Sequence, residues 1–187
     1  MEIIKREHVE PFSNIDYREF DEANLTFLES SQLIAMIDYP PLHSPEAYTS
    51  YLEKFKSGIK VEPAIVVPSE LVINDLKKKR NRYSTYQESL QDFLTKHSNA
   101  KYFMLGGKHR SSAATILNLK IPCLVVSNDA DVTRIHSLMK NGHLTGTSSV
   151  GRDFDDTVQE LEDHFFEHKR FWTMEEKTQV MKENGDI

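Results

Sequence analysis

The sequence predicts a mixed α/β domain, a sheet with flanking helices, followed by a helical extension at the C-terminus. Short apolar runs recur along the chain and alternate with longer segments in which apolar residues lie three or four apart. Glycine, proline or asparagine bounds most of these segments. The 187 residues are 39% hydrophobic and include 10 Phe and 7 Tyr, which is enough apolar material for one folded core.

Two strands with a helix between them are predicted in the first half of the chain. Residues 1–32 are acidic and lack a clean apolar period, so a strand with a short helix is only one interpretation. Leu33–Ile37 is an apolar run that ends before two prolines, which predicts a strand. A helix begins at Ser44-Pro45, a capping residue followed by proline, and ends at Gly58. The run at 61–68 predicts the next strand.

Residues 69–100 have the character of an insertion between two core strands. A basic run, Lys77–Arg80 with Arg82, is either a solvated surface or a contact for phosphate or nucleic acid. Ser84-x-x-Gln87 is a capping box and predicts a helix that ends near His97.

The second half repeats the strand and helix pattern. An apolar strand is predicted at Ile121–Ser127, and Asn128 or Asp129 then caps a helix that ends at Asn141-Gly142. We place a domain boundary after 151, which gives a domain of residues 1–151 and an extension of residues 152–187. In the extension one amphipathic helix starts near Phe154, and a capping box, Thr173-x-x-Glu176, opens a last helix.

The stretch with most chemical content is a turn between a predicted strand and a predicted helix. The strand at Lys101–Leu105 ends in Gly106-Gly107, and a helical segment is predicted at 113–117. Five polar residues lie between them: Lys108, His109, Arg110, Ser111 and Ser112. The first amides of a helix and the positive end of its dipole favour an anion, and glycines let a phosphate approach the backbone. The pattern therefore predicts a phosphate-binding turn, with an ordinary solvated turn as the alternative.

The same residues carry a family resemblance. Tyr102–Ala114, which reads Tyr-Phe-Met-Leu-Gly-Gly-Lys-His-Arg-Ser-Ser-Ala-Ala, and Leu119–Val126 resemble the core of the ParB/sulfiredoxin superfamily. The resemblance extends over roughly Ser44 to Asn141, and its specific part lies within residues 102–126. It implies a compact mixed sheet, and it implies that His109 and Arg110 contact nucleotide phosphates while the glycine pair lets the backbone close in.

The resemblance also implies a nucleotide-dependent enzyme. The superfamily includes free-serine kinases, so ATP or ADP, or another nucleoside triphosphate or diphosphate, is the expected ligand, with Mg²⁺ bridging its phosphates. Ser50 matches a helix serine that faces the phosphates in sulfiredoxin, and an exposed helical serine is the alternative. Glu46, Asp38 and Glu29 are the carboxylates nearest the presumed site in sequence order. Of these, Glu46 is the candidate base. The phosphate acceptor, a small molecule or a protein, is left open.

Two departures argue against sulfiredoxin activity. Lys108 occupies the position of the nucleophilic cysteine between the glycine pair and His-Arg, and an ammonium group is not a nucleophile. No Lys or Arg lies between Phe20 and Glu53, where sulfiredoxin has an arginine. Cys123, the single cysteine, belongs to the next strand and is expected to be a small buried hydrophobe.

Charge and composition limit the partners. The net charge of -6 disfavours general DNA binding, although a ParB-like, DNA-associated regulator or a nuclease is the alternative function. A single cysteine, no secretory signal and no long apolar stretch predict a cytoplasmic protein without a membrane partner. A His164 and His168 pair lacks a third ligand, so no metal site is assigned. A homodimer is left open.

Overall fold

A six-stranded mixed sheet organises the chain, as the predicted α/β class requires. The structure, a computed structural model, describes residues 15–20, 23–35, 45–79, 84–145, 150–168 and 170–187, and only the backbone of 164–168. The strands are β1 (Leu25–Leu28), β2 (Leu33–Ala35), β3 (Ala64–Pro68), β4 (Tyr102–Gly106), β5 (Ile121–Val125) and β6 (Trp172–Thr173). Their order across the sheet is β1-β5-β3-β4-β2-β6.

Seven α-helices surround the sheet in the described ranges. They are α1 (Pro45–Lys56), α2 (Ser69–Lys78), α3 (Ser84–Lys96), α4 (Lys108–Ile116), α5 (Asp129–Lys140), α6 (Phe154–His168) and α7 (Met174–Asn184). Among them, none is long and apolar enough to cross a membrane. Short 3₁₀ helices at Arg18–Phe20 and Ser30–Gln32 flank β1, so the strand and short helix considered for the N-terminal region are found in its described part.

The centre of the sheet is β3, and its position explains its composition. It pairs with β4 antiparallel and with β5 parallel, and four consecutive residues, 64–67, are buried. Successive strand residues point to opposite faces, so both faces of β3 are covered, which agrees with its unbroken apolar run. The chain leaves β4, forms α4 and returns as β5 on the other side of β3, which places the start of α4 beside the first residues of β3.

Several boundaries predicted from local signals are confirmed. Pro45 is the first residue of α1, and Gly58 follows this helix with a φ of 65°, the left-handed conformation that ends helices. Asn128 caps α5 by accepting a hydrogen bond from the Asp131 N–H at 3.1 Å. The Thr173 and Glu176 capping box is present at the start of α7. The predicted cap Ser44 lies outside the described residues, as do Asp38, Arg80 and Arg82.

Other elements differ from the sequence-based expectation. Residues 69–78, which the prediction leaves without structure, form α2, and this helix begins directly after the last residue of β3. The C-terminal segment adds the strand β6 as well as helices, because Trp172 and Thr173 pair antiparallel with Ala35 and Ile34 of β2. Helix α4 begins at Lys108, five residues before the predicted helical segment.

The core lies between the sheet and its helices. Phe171 stacks on Tyr86 of α3 and contacts the rings of Phe93 and Phe103. The largest fully buried apolar side chains are Tyr86, Phe20, Leu33, Ile34, Leu76, Leu90, Ile121, Leu124, Ile135, Met174 and Met181. Because this set includes residues from both ends of the chain, the C-terminal segment shares its core with the preceding domain.

A polar contact joins the end of α3 to the start of α7. The Thr173 hydroxyl accepts a hydrogen bond from the Glu176 N–H at 3.1 Å, and the Thr173 N–H donates to the Glu176 carboxylate at 2.8 Å. The other carboxylate oxygen lies 2.8 Å from Nε2 of His97. Burial opposes the charged form of Glu176, but hydrogen bonds from Thr173 and His97 outweigh it and lower the pKa of this carboxyl.

Thr173→Ala should lower the free energy of unfolding by about 1 kcal/mol, because it removes the cap from α7. Urea denaturation of the two proteins measures the difference. Thr95→Ala is the matched control: its hydroxyl donates to a carbonyl within α3 at 2.8 Å and caps no helix end, so little change is expected. Equal losses in the two variants would show that the cap does not stabilise the protein.

Candidate functional site

The turn between β4 and α4 is built on Gly107. Its φ of 96° and ψ of 20° lie in the left-handed region, which glycine adopts without steric cost. A Cβ at this position would lie 2.7 Å from Nε of Arg110 and 2.8 Å from Cβ of Ala64. Both the backbone conformation and the close approach of β3 therefore require glycine here.

The first turn of α4 presents amides rather than a capping side chain. The first intrahelical hydrogen bond joins the Ser111 N–H to the Gly107 carbonyl at 2.9 Å. Helix amides that precede such a bond point toward the N-terminus, where they and the helix dipole favour an anion. Since Gly107 has no side chain, the residue before the helix makes no side-chain cap hydrogen bond.

Arg110 is the charged side chain that lies against Gly107. Its side chain is 8% exposed, and its guanidinium lies over the ring of Tyr51 on α1, 5.9 Å from the ring centroid. Nη1 donates a hydrogen bond to Oε2 of Glu62 at 3.2 Å. Nε, the atom nearest Gly107, is buried and makes no hydrogen bond with any described residue. Guanidinium donors form strong hydrogen bonds with carboxylate and phosphate oxygens, so an unused donor is chemically suited to an anion.

Glu62 also binds the segment that follows α5. Its Oε2 accepts a hydrogen bond from the Thr145 N–H at 2.7 Å, and the Thr145 hydroxyl lies 2.9 Å from both carboxylate oxygens. One carboxylate thus joins Arg110 to Thr145, residues from two different parts of the chain. In this conformation the protein's own carboxylate occupies one side of the guanidinium.

The other predicted residues of the turn fall into two groups. Lys108 and His109 are half-buried at the start of α4, beside Gly107. Ser111 and Ser112 are fully buried, and their hydroxyls have no hydrogen-bond partner among the described residues. Because α4 begins at Lys108, the two serines occupy its fourth and fifth positions, and in this conformation they lie in the interior rather than on the surface of the turn.

Helix α1 supplies the neighbouring wall, because it packs against α4. Ser50 and Glu46, the predicted residues on this helix, are both exposed. Tyr51, which the sequence analysis does not single out, makes the contact with Arg110, and the Lys54 ammonium lies 5.2 Å from the same ring. Glu29 is exposed in the segment between β1 and β2.

Cys123 lies beneath the turn on β5 and is fully buried. Its register partner in β3 is Ala64, the residue that contacts Gly107. Burial raises the pKa of the thiol, and the nearby Arg110 charge opposes this only in part. The thiol donates to the Ile121 carbonyl at 3.4 Å. A neutral, buried thiol is a packing group, as the sequence predicts.

Three residues of the site, Tyr51, Glu62 and Thr145, are missed by sequence reasoning. Glu62 gives the only local signal, since it is a carboxylate within the apolar run at 61–68. Glu62 is separated from the buried strand β3 by a single proline, and a carboxylate in that position suggests a nearby cation. Nothing in the neighbouring sequence identifies this cation as Arg110, which lies 48 positions away.

The described residues contain no group of three or more His, Cys, Asp and Glu side chains that could hold a metal ion. The strand, the glycine turn, the helix and the following strand are present in the order that the ParB/sulfiredoxin resemblance implies. This order by itself is common in α/β proteins and shows neither a family nor a function. Comparisons of the chain with protein-family models, with curated proteins and with solved structures give no match.

Proposed function

We propose that the β4–α4 turn binds the phosphates of a nucleotide and that the protein is a nucleotide-dependent phosphotransferase or nucleotide hydrolase. The observation that carries this proposal is the buried Arg110 guanidinium, whose unused Nε lies against a left-handed glycine at a helix N-terminus. Backbone amides, a helix dipole and a delocalised cation then converge on one point, which is the combination that phosphate oxygens require.

The catalytic contribution of such a turn is positioning and charge stabilisation. The first amides of α4 and the Arg110 guanidinium would hold the terminal phosphate, with Lys108 and His109 beside it. Fixed donors that match developing negative charge supply most of the catalysis in phosphoryl transfer. Magnesium, when present, is expected to be held largely by the phosphates, as is usual for this ion. Glu46 on α1 is the proposed base, and Ser50 on the same helix is proposed to face the phosphates.

Arg110→Ala should abolish nucleotide-dependent stabilisation. The test is a thermal-shift panel of ATP, ADP, CTP and GTP with magnesium. At a ligand concentration of about 100 Kd, binding adds roughly 2.7 kcal/mol, or on the order of 6 °C in Tm for a chain of this size. The quantity compared is the ligand-dependent shift, because the substitution also leaves Glu62 without its cation and lowers the starting Tm.

Arg152→Ala is the control for this panel. Arg152 is exposed and paired with Asp156 at 2.6 Å, so its removal changes the same charge without touching the turn. An equal nucleotide shift in wild type, Arg152→Ala and Arg110→Ala would place the site elsewhere. Duplex DNA in the same panel separates the enzyme from a DNA-associated regulator, because the regulator would also be stabilised by DNA.

A further inference from the structure

The Arg110–Glu62–Thr145 contact links the turn to a distant segment through a single carboxylate. Oε2 of Glu62 is shared by Nη1 of Arg110 and by the N–H of Thr145. Glu62 is partly exposed, with 28% of its side chain accessible, whereas the Arg110 side chain is only 8% exposed. The carboxylate therefore lies between the solvent-facing segment at Thr145 and the buried cation.

A ligand phosphate and this carboxylate compete for the same cation. Arg110 has five N–H donors in a fixed fork, and both carboxylate and phosphate prefer to bind it through two adjacent donors. A phosphate that reaches Nε and one Nη brings negative charge next to the Glu62 carboxylate. Two anions on one guanidinium repel each other, so the bound state favours a Glu62 that has moved away.

Movement of Glu62 has a consequence at Thr145. The Thr145 N–H donates to the same oxygen that Arg110 binds, and the Thr145 hydroxyl lies 2.9 Å from both oxygens. Thr145 is itself exposed, whereas the preceding residue, Leu144, is buried in the core, so the bonds to Glu62 hold Thr145 rather than the whole segment. A ligand that displaces Glu62 therefore removes the hydrogen bonds that hold Thr145 beside the turn.

We propose that Glu62 and a ligand phosphate are alternative occupants of Arg110, and that a phosphate that binds there displaces Glu62 and releases Thr145. This inference rests on the proposed function and adds a regulatory step to it. The apparent affinity of the turn for phosphates is reduced by the population in which Glu62 holds Arg110. Any event that withdraws Glu62 raises that affinity, and phosphate binding in turn loosens Thr145, because such coupling is reciprocal.

Glu62→Gln tests the competition. Isothermal titration with inorganic pyrophosphate, and with ATP and magnesium, should show binding roughly tenfold tighter than in wild type, the order expected when one charge-assisted hydrogen bond that opposes the ligand is removed. Glu53→Gln is the control, since Glu53 is exposed on α1 and its substitution makes the same change in net charge. We expect that variant to bind as wild type does.

Amide hydrogen exchange at Thr145, measured by NMR, tests the release. Exchange should be faster in Glu62→Gln than in wild type, and faster in wild type when pyrophosphate is bound. Glu62→Gln could bind pyrophosphate more tightly while the exchange rate of the Thr145 amide in wild type stays the same when pyrophosphate binds. That result would show an electrostatic effect alone and would overturn the release of Thr145. If wild type binds pyrophosphate and Glu62→Gln binds it with equal or lower affinity, the competition is wrong, although the phosphate site is retained. If neither protein binds pyrophosphate or any nucleotide, both this inference and the proposed function are wrong.

Discussion

Gly107→Ala is expected to lower the free energy of unfolding by about 3 kcal/mol. An alanine in the left-handed region costs roughly 1–2 kcal/mol from the contact between Cβ and its own backbone. The new Cβ would also lie 2.7 Å from Nε of Arg110, 2.8 Å from Cβ of Ala64 and 3.0 Å from Cα of Ala64. Overpacking of this kind costs typically 1–3 kcal/mol, and the Ala64 atoms belong to the central strand, which cannot move without disturbing the sheet.

The control for this substitution is Gly142→Ala. Gly142 follows α5 with a φ of 75°, and a Cβ there would meet no atom within 4 Å. The backbone cost is therefore similar, and we expect a loss of only about 1 kcal/mol. Urea denaturation curves of the three proteins give both differences. Equal losses would show that the close approach of Ala64 and Arg110 adds nothing to the cost of a side chain at position 107.

The turn was predictable because its signals are local. Aromatic and apolar residues ending in a glycine pair indicate a strand and a sharp turn, and the basic residues follow immediately. Arg110 lies three residues after Gly107, so the start of the helix brings its side chain back to the glycine. By contrast, Ser111 and Ser112, which the sequence predicts to add hydroxyls to the phosphate-binding turn, are fully buried. Their burial depends on the residue at which α4 begins, and Gly107 sets that start by taking the left-handed conformation.

The contacts around Arg110 and Glu62 were not predictable for the opposite reason. Thr145 and Glu62 are 83 positions apart, and a single hydrogen-bonded contact at that distance leaves no periodicity in the sequence.

Helix α2 was missed because Pro68, the last residue of β3, is also its N-cap, so no loop residues mark the boundary. β6 consists of two residues and is too short for an alternating pattern. Tertiary pairing, rather than local preference, defines these features.

A buried carboxylate, Glu162 on α6, should make the stability of the protein depend on pH. Its side chain is fully buried, and Oε2 accepts a hydrogen bond from the Lys79 ammonium at 2.9 Å. Lys79 also binds Asp75 at 2.7 Å, so its charge is shared between two carboxylates. Burial raises the pKa of Glu162 to about 7 from the ordinary 4.5, and the hydrogen bond from Lys79 only partly opposes this.

The sign of the effect follows from proton binding. In the unfolded chain Glu162 releases its proton near pH 4.5, whereas the folded protein retains it until about pH 7. Folding is therefore favoured most below pH 4.5, and this contribution is lost as the pH rises to 7. Each unit of the pKa difference corresponds to about 1.4 kcal/mol, so the loss from this residue is about 3 kcal/mol.

Glu162→Gln should remove this dependence, because an amide resembles the protonated acid and does not titrate. Urea denaturation at pH 5 and at pH 8 gives, at each pH, the free energy of unfolding of the variant minus that of wild type. The titration of all other groups cancels in this difference. That difference should favour the variant by about 2.5 kcal/mol more at pH 8 than at pH 5, since most of the titration lies between these two values. Glu160→Gln, an exposed position on the same helix, should show a difference that does not change with pH. If Glu162→Gln instead follows wild type in parallel, Lys79 holds Glu162 ionised throughout, and α6 is attached to α2 by a true ion pair.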